Sequence, residues 1–422
     1  MLDALKNALR IPDLRKKILF TASLLAVYRI GSFVPVPGVN AAALAQQLGI
    51  DGGNIFGFLD LFTGGALGRF TIFAMGVNPY ITASIIIQLL TVVIPRLEQL
   101  AKEGGEGRKV IAQYTRYGTV VLGLVQAFGI TMMARNWGVV THPGIFSLLL
   151  IMVTLTAGTS FLMWLGEKIS EGGIGNGISL IIFVGIVSRM PMGTINAFRA
   201  VGEGGLNIFS LVVFAILGII VIAGIVMVQQ GQRRVPVQYA KRVVGRKMYG
   251  GQSTHIPLRV NQAGVIPVIF ASSVLTFPLT LAQFVPAVGL INRWIGYGTF
   301  GYNFLYAMLV IFFTYFYTAV TFNPQEVSGN MKKNGGFIPG LRPGRPTTEY
   351  LDRVLTRITL PGAVFLALIA VMPYIAAGIT RIPESFLYFG GTGLLIMVGV
   401  ALDTMKQIES HLLLRHYEGF LK

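Results

Sequence analysis

The chain has 422 residues, of which 53% are hydrophobic and only 12% are charged, and its mean hydropathy is +0.68. A water-soluble domain carries about twice that share of charge, so the composition excludes a soluble globular protein and indicates several membrane-spanning helices. The net charge of +17 points either to basic cytoplasmic loops or to an acidic partner. The absence of cysteine excludes disulfides and thiolate metal sites.

Ten apolar stretches are long enough to cross a bilayer, for which a helix needs about 20 residues. They are Ile18–Val34, Thr71–Ile94, Val110–Ala134, Ile145–Leu165, Ile178–Met192, Leu206–Val228, Ala263–Val288, Tyr302–Phe322, Ile358–Ile379 and Phe386–Leu402. The predicted fold class is therefore an all-α polytopic membrane protein, with an N-terminal arm over residues 1–17 and a tail over residues 403–422.

Lysine and arginine are distributed unevenly between the two sides that ten crossings define. Most lie in the two termini, in the loop after the second span, and in loops 229–262 and 323–357, which all share one side. The other side, counted together with the first span, holds Arg29, Arg69, Arg135, Arg189, Arg199, Arg293 and Arg381. Because basic loops remain in the cytoplasm, both termini are predicted to be cytoplasmic.

Dividing the ten spans equally gives two groups of five, over residues 18–192 and 206–402, joined by an outer connection over residues 193–205. A group with an odd number of spans begins on one side of the membrane and ends on the other. Two related groups would therefore be inverted about an axis in the membrane plane. The sequence shows no convincing internal repeat, so this prediction rests on counting alone.

A short apolar segment, FGFLDLFTGGALGRF (56–70), lies between the first two spans and is too short to cross the bilayer. It carries charges at Asp60 and Arg69, and several glycines, which lower helix stability, interrupt it. Backbone that does not span is tolerated at membrane depth only inside protein or in an aqueous cavity.

The chemistry of enzymes and ion-coupled carriers is missing from the sequence. Acidic residues lie outside the span interiors, apart from Asp60 and Asp403, and Arg29 is the one plausible intramembrane charge. The sequence has no phosphate-binding loop and no nucleophile beside a base, and its four histidines are scattered, so no catalytic residue, cofactor or metal is expected. A passive conduit, a small-solute carrier with neutral coupling, and a scaffold driven by a partner remain open.

The two long basic loops, 229–262 and 323–357, exceed what a link between helices needs. Their charge alone fits ordinary cytoplasmic loops equally well. Their length, and the stiff proline- and glycine-rich turn around Arg342, favour docking onto an acidic surface such as RNA or an acidic protein face.

Several motifs, in the same order along the chain, resemble the SecY and Sec61 alpha family of protein-conducting channels. They are NPYITASIIIQLLTVV (78–93), KEGGEGRKVIAQYTRYGT (102–119), GIGNGISLIIF (173–183), QRRVPVQYAKRVVGRKMYGGQSTHIPL (232–258), NQAGVIPVIFASS (261–273), FNPQEVSGNMKKNGGFIPGLRPG (322–344) and YFGGTGLLI (388–396). The resemblance runs from about Ile11 to Leu421. It implies two inverted five-helix halves around an hourglass pore, through which unfolded polypeptide passes.

The resemblance gives segment 56–70 the role of a plug that closes the pore from the outer side. The plug residues it implies are Phe58, Asp60, Leu61, Phe62, Gly64, Gly65 and Arg69. The alternative is a re-entrant packing element that never moves.

The resemblance also implies a pore ring of six apolar side chains: Val77, Ile81, Ile178, Ile182, Ile269 and Ile396. Branched aliphatic side chains bind neither water nor ions, so a narrow collar of them blocks leakage. Without the family, each would be read as an ordinary packed or lipid-facing residue.

The resemblance also implies residues for the sideways exit of transmembrane segments and for the binding of partners. A lateral gate between spans two, three, seven and eight would carry Gln88, Ser272, Ser273 and Thr276, whose polar groups can hydrogen-bond across the seam or form a static contact. Partner docking would use Arg233, Arg234, Arg242, Arg246 and Arg342. The implied partners are the small membrane subunits SecE and SecG, the SecA motor ATPase, the ribosome, signal peptides with nascent chains, and the lipid of the bacterial plasma membrane.

Overall fold

The computed structural model describes residues 11–48, 55–203, 207–239, 242–244, 247–249, 253–282, 296, 298–380 and 391–419. The helices are α1 (Pro12–Gly31), α2 (Ala41–Leu48), α3 (Ile55–Phe62), α4 (Asn78–Val93), α5 (Pro95–Lys102), α6 (Gly105–Asn136), α7 (Ile145–Gly172), α8 (Gly177–Gly202), α9 (Ile208–Gln230), α10 (Ile266–Ala282), α11 (Phe300–Thr321), α12 (Pro324–Lys333), α13 (Arg345–Thr380) and α14 (Thr392–Gly419). The strands are β1 (Gln232–Tyr239), β2 (Arg242–Val244), β3 (Lys247–Tyr249), β4 (Ser253–Arg259) and β5 (Gly336–Phe337).

Within the described residues, 6 helical stretches are long and apolar enough to cross a membrane. They are α6, α7, α8, α9, Phe300–Lys333 and Arg345–Pro373. A bent pair, α4 and α5, forms a further candidate, with an angle of 100° between its two helices. The bend lies at Pro95, because proline lacks an N–H group and forces the preceding Ile94 into an extended conformation. The count of ten spans therefore remains a prediction.

The second predicted span starts too early. Residues 71–77 are turns rather than helix, and α4 begins only at Asn78. Gly76 has a φ of +58°, and Thr71 forms an isolated bridge with Pro35. An apolar run reports burial or membrane depth but not the backbone conformation, so this boundary could not be placed from hydropathy alone.

The outer connection predicted over 193–205 is helical over its first ten residues, because α8 continues to Gly202. Hydropathy falls after Met192, yet the backbone hydrogen bonds of a helix continue without lipid around them. Residues 204–206 lie outside the described residues.

Helices contact one another across the division predicted between the two groups of five. In the first group, α4 packs against α6, α6 against α7, and α7 against α8. In the second, α10 packs against α11, α11 against α13, and α9 against α14. Two pairs join the groups: α4 with α10, and α8 with α14.

The two long basic loops contain β-structure, which the sequence analysis did not predict. Strands β4, β1 and β5 form an antiparallel sheet in that order, so β1 of the first loop pairs with β5 of the second. Apolar side chains from both loops, with Leu351 of α13, form a small separate core: Val235, Val237, Leu258, Met331, Ile338 and Leu351. We call strands β1, β4 and β5, helix α12, the turn 338–344 and the first two turns of α13, which carry Leu351, the basic module.

Candidate functional site

The short segment before α4, residues 55–77, begins as α3 and continues as a series of turns. We call it the outer segment. The turn after α3 requires glycine, because Gly64 and Gly65 have φ values of +65° and +87°. The N–H of Gly65 donates to the carbonyl of Asp60 at 2.9 Å, which closes the turn at the end of α3.

The carboxylate of Asp60 is fully buried, with 0% of the residue exposed. Its Oδ1 accepts a hydrogen bond from the N–H of Gly68 at 2.7 Å, and its Oδ2 forms an ion pair with Arg189 of α8. A buried charge is tolerated when it is paired and hydrogen-bonded. The pair therefore fixes the outer segment to a spanning helix.

Helix α1 holds the same turn from another direction. The hydroxyl of Tyr28 donates to the carbonyl of Thr63 at 3.1 Å, and Nη1 of Arg29 donates to the carbonyl of Gly64 at 3.0 Å. Arg69, within the segment, donates from Nη2 to the carbonyl of Gly64 and from Nε to that of Gly65, each at 3.0 Å. The carbonyl of Gly64, which accepts no backbone N–H from the described residues of the turn, is thus satisfied by the two arginines.

Two glycines of the spanning helices allow the outer segment to approach closely. A Cβ atom at Gly185 of α8 would lie 2.6 Å from the carbonyl oxygen of Phe62. A Cβ atom at Gly158 of α7 would lie 1.9 Å from the carbonyl oxygen of Ile72. Any larger side chain at either position would push the segment away, so these glycines form its seat.

The six predicted ring residues lie in, or pack against, one hydrophobic cluster. Five are buried, and Ile178 is partly buried against the same cluster. Val77 directly precedes α4, and its carbonyl accepts from the N–H of Ile81 at 3.0 Å, so the pair shares the first helical turn. Ile178 and Ile182 occupy the first two turns of α8. The ring helices α4, α8, α10 and α14 are those that join the two groups.

A cavity of about 330 Å³ lies one helical turn from three of these ring positions. Its lining includes Ser179 of α8, Ile266 of α10 and Val400 of α14. Arg259, Asp403 and Lys406 also line it. Burial raises the pKa of the Asp403 carboxyl, against the opposing effects of Lys406 and Arg259. The cavity is therefore lined by charged and polar side chains together with aliphatic ones.

The predicted gate residues lie on the two helices that meet across the division between the groups. Ser272, Ser273 and Thr276 are buried on α10, and Gln88 is half-buried on α4. The hydroxyl of Ser272 donates to the carbonyl of Ile269 at 2.8 Å, and that of Thr276 donates to the carbonyl of Ser272 at 2.7 Å. These two hydrogen bonds lie within the helix itself, as those of serine and threonine in helices often do. The gate between the two groups stays a prediction.

Four of the five predicted docking arginines lie within the described residues. Arg233 and Arg234 lie exposed on β1, and Arg342 lies exposed on the turn between β5 and α13. The carbonyl of Arg342 accepts from the hydroxyl of Thr347 at 2.9 Å, which ties this turn to α13. Arg242 lies on β2, and Arg246 falls outside the described residues.

The sequence analysis missed the residues that hold the outer segment: Tyr28, Arg189, Gly158 and Gly185. One signal was present, because Arg189 is among the few arginines on the side poor in basic residues. The β-structure also had a signal, since buried and exposed residues alternate in RVPVQ of β1.

Comparison with known proteins agrees with this geometry. The SecY family model matches residues 71–405. The chain belongs to the SecY family. It is 49% identical to a protein translocase subunit SecY from Halalkalibacterium halodurans and 50% identical to one from Mycobacterium bovis, with all of this chain and all of each relative covered. Membership of the SecY family confirms the prediction of a translocation channel over a solute carrier or a scaffold.

Solved structures share the fold of this SecY family member at low sequence identity. A structure described as that of a protein conducting channel has a TM-score of 0.65 at 19% identity, covering 93% of this chain and 91% of that chain. Sec61 in the canine ribosome-channel complex from the endoplasmic reticulum has a TM-score of 0.61 at 19% identity, with the same coverage. At this identity the likeness establishes the fold alone.

Proposed function

We propose that the chain passes unfolded secretory polypeptides across the bacterial plasma membrane and releases transmembrane segments sideways into lipid. In this proposal ten spans form two inverted halves around an hourglass pore, with both termini in the cytoplasm. The observation that carries it is that the six ring residues, five of them buried and Ile178 partly buried, lie in or against one hydrophobic cluster where α4, α8, α10 and α14 of the two groups meet. An aliphatic constriction of this kind excludes water and ions and still adapts to a passing chain.

Vesicles that contain the purified chain with its membrane subunits test this proposal. A radiolabelled preprotein should become protected from protease only when the partner motor and ATP are both added. Uptake of a small solute without any preprotein would instead favour a carrier. Vesicles lacking the chain provide the baseline.

The ring is tested separately by ion leakage. Changing Ile81→Gly together with Ile182→Gly should raise the ion conductance of vesicles, because two adjacent rungs of the collar lose their side chains. The matched control is Ile219→Gly with Ile220→Gly on α9, where both side chains are largely exposed on the bundle surface. Equal conductance in the two double variants would refute the ring assignment.

The outer segment acts in this proposal as the plug of the closed pore. Its ion pair between Asp60 and Arg189, and its glycine seat, hold it against α7 and α8 when no polypeptide is present. Its glycines and its short helix α3 give the outer segment little stability of its own, so it can leave the pore when a polypeptide enters. A static packing element would have the same contacts but would never leave.

A disulfide distinguishes a plug that moves from one that does not. A Cβ atom at Gly64 would lie 3.2 Å from Oγ of Ser188, within reach of a disulfide between Gly64→Cys and Ser188→Cys. Because the φ of +65° at Gly64 strains any side chain there, the reduced double variant is the control and must transport preprotein as the parent does. The chain has no cysteine, so no other bond can form. Oxidation should stop preprotein transport and reduction should restore it. Transport that continues with the bond intact would show that the segment stays in place.

The partner assignments complete the proposal. SecE and SecG would accompany the chain in the membrane, and SecA or the ribosome would supply the driving force, since the sequence has no nucleotide-binding loop. Two solved relatives of similar fold are described in complexes with ribosomes. The exposed arginines of the basic module suit a docking surface for such a partner.

A further inference from the structure

Three of the few arginines on the side poor in basic residues meet at one turn of the outer segment. Arg29 and Arg69 both donate to the carbonyl of Gly64 at 3.0 Å. A Cβ atom at Gly65 would lie 3.4 Å from Nε of Arg189. Because arginines are few on this side, their convergence from α1, α8 and the segment itself indicates a shared site.

The charges of this cluster do not balance. Asp60 pairs with Arg189, but neither Arg29 nor Arg69 has a carboxylate within 4 Å in the described part of the chain. Both guanidinium groups are half-buried and share a single carbonyl oxygen. Two like charges held this close are unfavourable unless an anion joins them. Among the described residues, each guanidinium has N–H donors that no hydrogen bond uses.

The two arginines contact an aromatic ring that lies on an exposed apolar surface. The guanidinium carbons of Arg29 and Arg69 lie 4.8 and 4.1 Å from the ring centroid of Phe33. Phe33 is 54% exposed, and its neighbours Ile30 and Val34 are 69% and 45% exposed. Exposed apolar side chains beside cations are typical of a surface where acyl chains give way to headgroups.

We propose that Arg29 and Arg69 bind the phosphate of a phospholipid headgroup, with its acyl chains along Phe33 and Ile30. The planar fork of a guanidinium matches two phosphate oxygens, and charge-assisted hydrogen bonds are short and strong. The anion also screens the repulsion between the two guanidinium groups. A free phosphate ion offers the same oxygens but makes no use of the exposed apolar surface.

Binding at this site would strengthen the seat of the outer segment. Both arginines hold the carbonyl of Gly64, so a lipid that fixes them also fixes the turn. A ligand that binds one state more tightly shifts the equilibrium toward it. The lipid site is independent of what the pore conducts, so its test does not depend on transport.

The test measures lipid binding to the purified full-length chain in detergent, by native mass spectrometry and by the midpoint of thermal unfolding. Four additions are compared: short-chain phosphatidylglycerol, phosphatidylcholine with the same acyl chains, a diacyl glycolipid without phosphate, and inorganic phosphate. Both phospholipids should bind and raise the midpoint, whereas the glycolipid and inorganic phosphate should do neither at the same concentrations.

The variant Arg29→Gln with Arg69→Gln should bind the phospholipids at least about tenfold more weakly, because two charge-assisted contacts are lost. Arg135→Gln, at an exposed arginine of α6, is the matched control and should bind as the parent does. If the double glutamine variant fails to fold, Arg29→Lys with Arg69→Lys keeps the charge and should show an intermediate loss. Equal binding of the glycolipid, stabilisation by inorganic phosphate alone, or unchanged binding by the double variants would overturn the proposal.

Discussion

The outer segment and the basic module both carry conspicuous charge, but they use it in opposite ways. In the outer segment, Asp60 is buried and paired, and Arg29 and Arg69 hold backbone carbonyls. In the basic module, an apolar core that includes Leu258 and Leu351 supports the fold, while the arginines point outward.

This difference separates charge that builds structure from charge that meets a partner. A buried ionic contact is costly to break, because the remaining partner stays desolvated and unpaired. An exposed charge contributes little to folding and remains free to bind. The variants below test this contrast, in order of their expected effect on the free energy of unfolding.

The largest effect is expected for Asp60→Ala, which leaves Arg189 without its partner. Breaking a buried pair costs about 3–5 kcal/mol, toward the lower end here because the Arg189 side chain is 35% exposed. The outer segment should detach, which hydrogen exchange at the amides of Gly65 and Gly68 and vesicle conductance would both report. Asp352→Ala, at an exposed carboxylate of α13, should change neither. Unchanged hydrogen exchange in the Asp60 variant would show that the ion pair with Arg189 does not hold the outer segment in place.

Within the basic module the core, and not the charge, should carry the stability. Leu351→Ala removes a fully buried side chain that packs with both loops and should cost about 2–4 kcal/mol. Limited proteolysis of loops 229–262 and 323–357 would detect the loosened module. Leu413→Ala, at an exposed position of α14, serves as the control. Resistance to protease equal to that of the parent would show that the two loops fold separately.

A smaller effect is expected when the seat of the outer segment is narrowed. Gly185→Ala places a methyl group close to the carbonyl of Phe62, and such overpacking costs about 1–3 kcal/mol. Partial opening should appear as a modest rise in vesicle conductance. Gly218→Ala on α9 meets nothing within 4 Å and should leave conductance at the parental level. If the Gly185 variant left vesicle conductance unchanged, the close contact at Gly185 would not be needed to hold the outer segment.

The smallest structural effect is expected for Arg342→Glu in the basic module. Because the side chain is exposed, stability should change by less than about 0.5 kcal/mol. Motor-driven transport should nevertheless be lost, since the partner surface meets a reversed charge. Membrane insertion and the unfolding midpoint provide the control measurements. Normal transport would limit the role of this arginine to orienting the chain in the membrane.

Part of the fold could be predicted from the sequence, for identifiable reasons. The apolar runs marked helices α9 and α11 to within two residues at each end, because hydropathy reports contact with lipid. Helix α6 begins at Gly105 and not at Val110, and α7 ends at Gly172 and not at Leu165, because the backbone hydrogen bonds of a helix do not need an apolar sequence. The ring positions came from the family resemblance and stay a prediction. The sequence marked the outer segment as too short to span and rich in glycine, but it did not place the turn at Gly64 and Gly65. The strands of the basic module were missed, although RVPVQ of β1 alternates, because charge and turn residues dominated the interpretation of both loops.

By itself, the sequence determined the membrane character, the basic side, the family and the presence of a greasy segment too short to span. These properties depend on the composition of stretches of chain, which sequence reports directly. Only the tertiary structure decided that Arg189 pairs with Asp60, that Gly158 and Gly185 seat the outer segment, and that β1 and β5 join two distant loops. Such contacts connect residues far apart in the chain, and their energy depends on burial and geometry that no local pattern encodes.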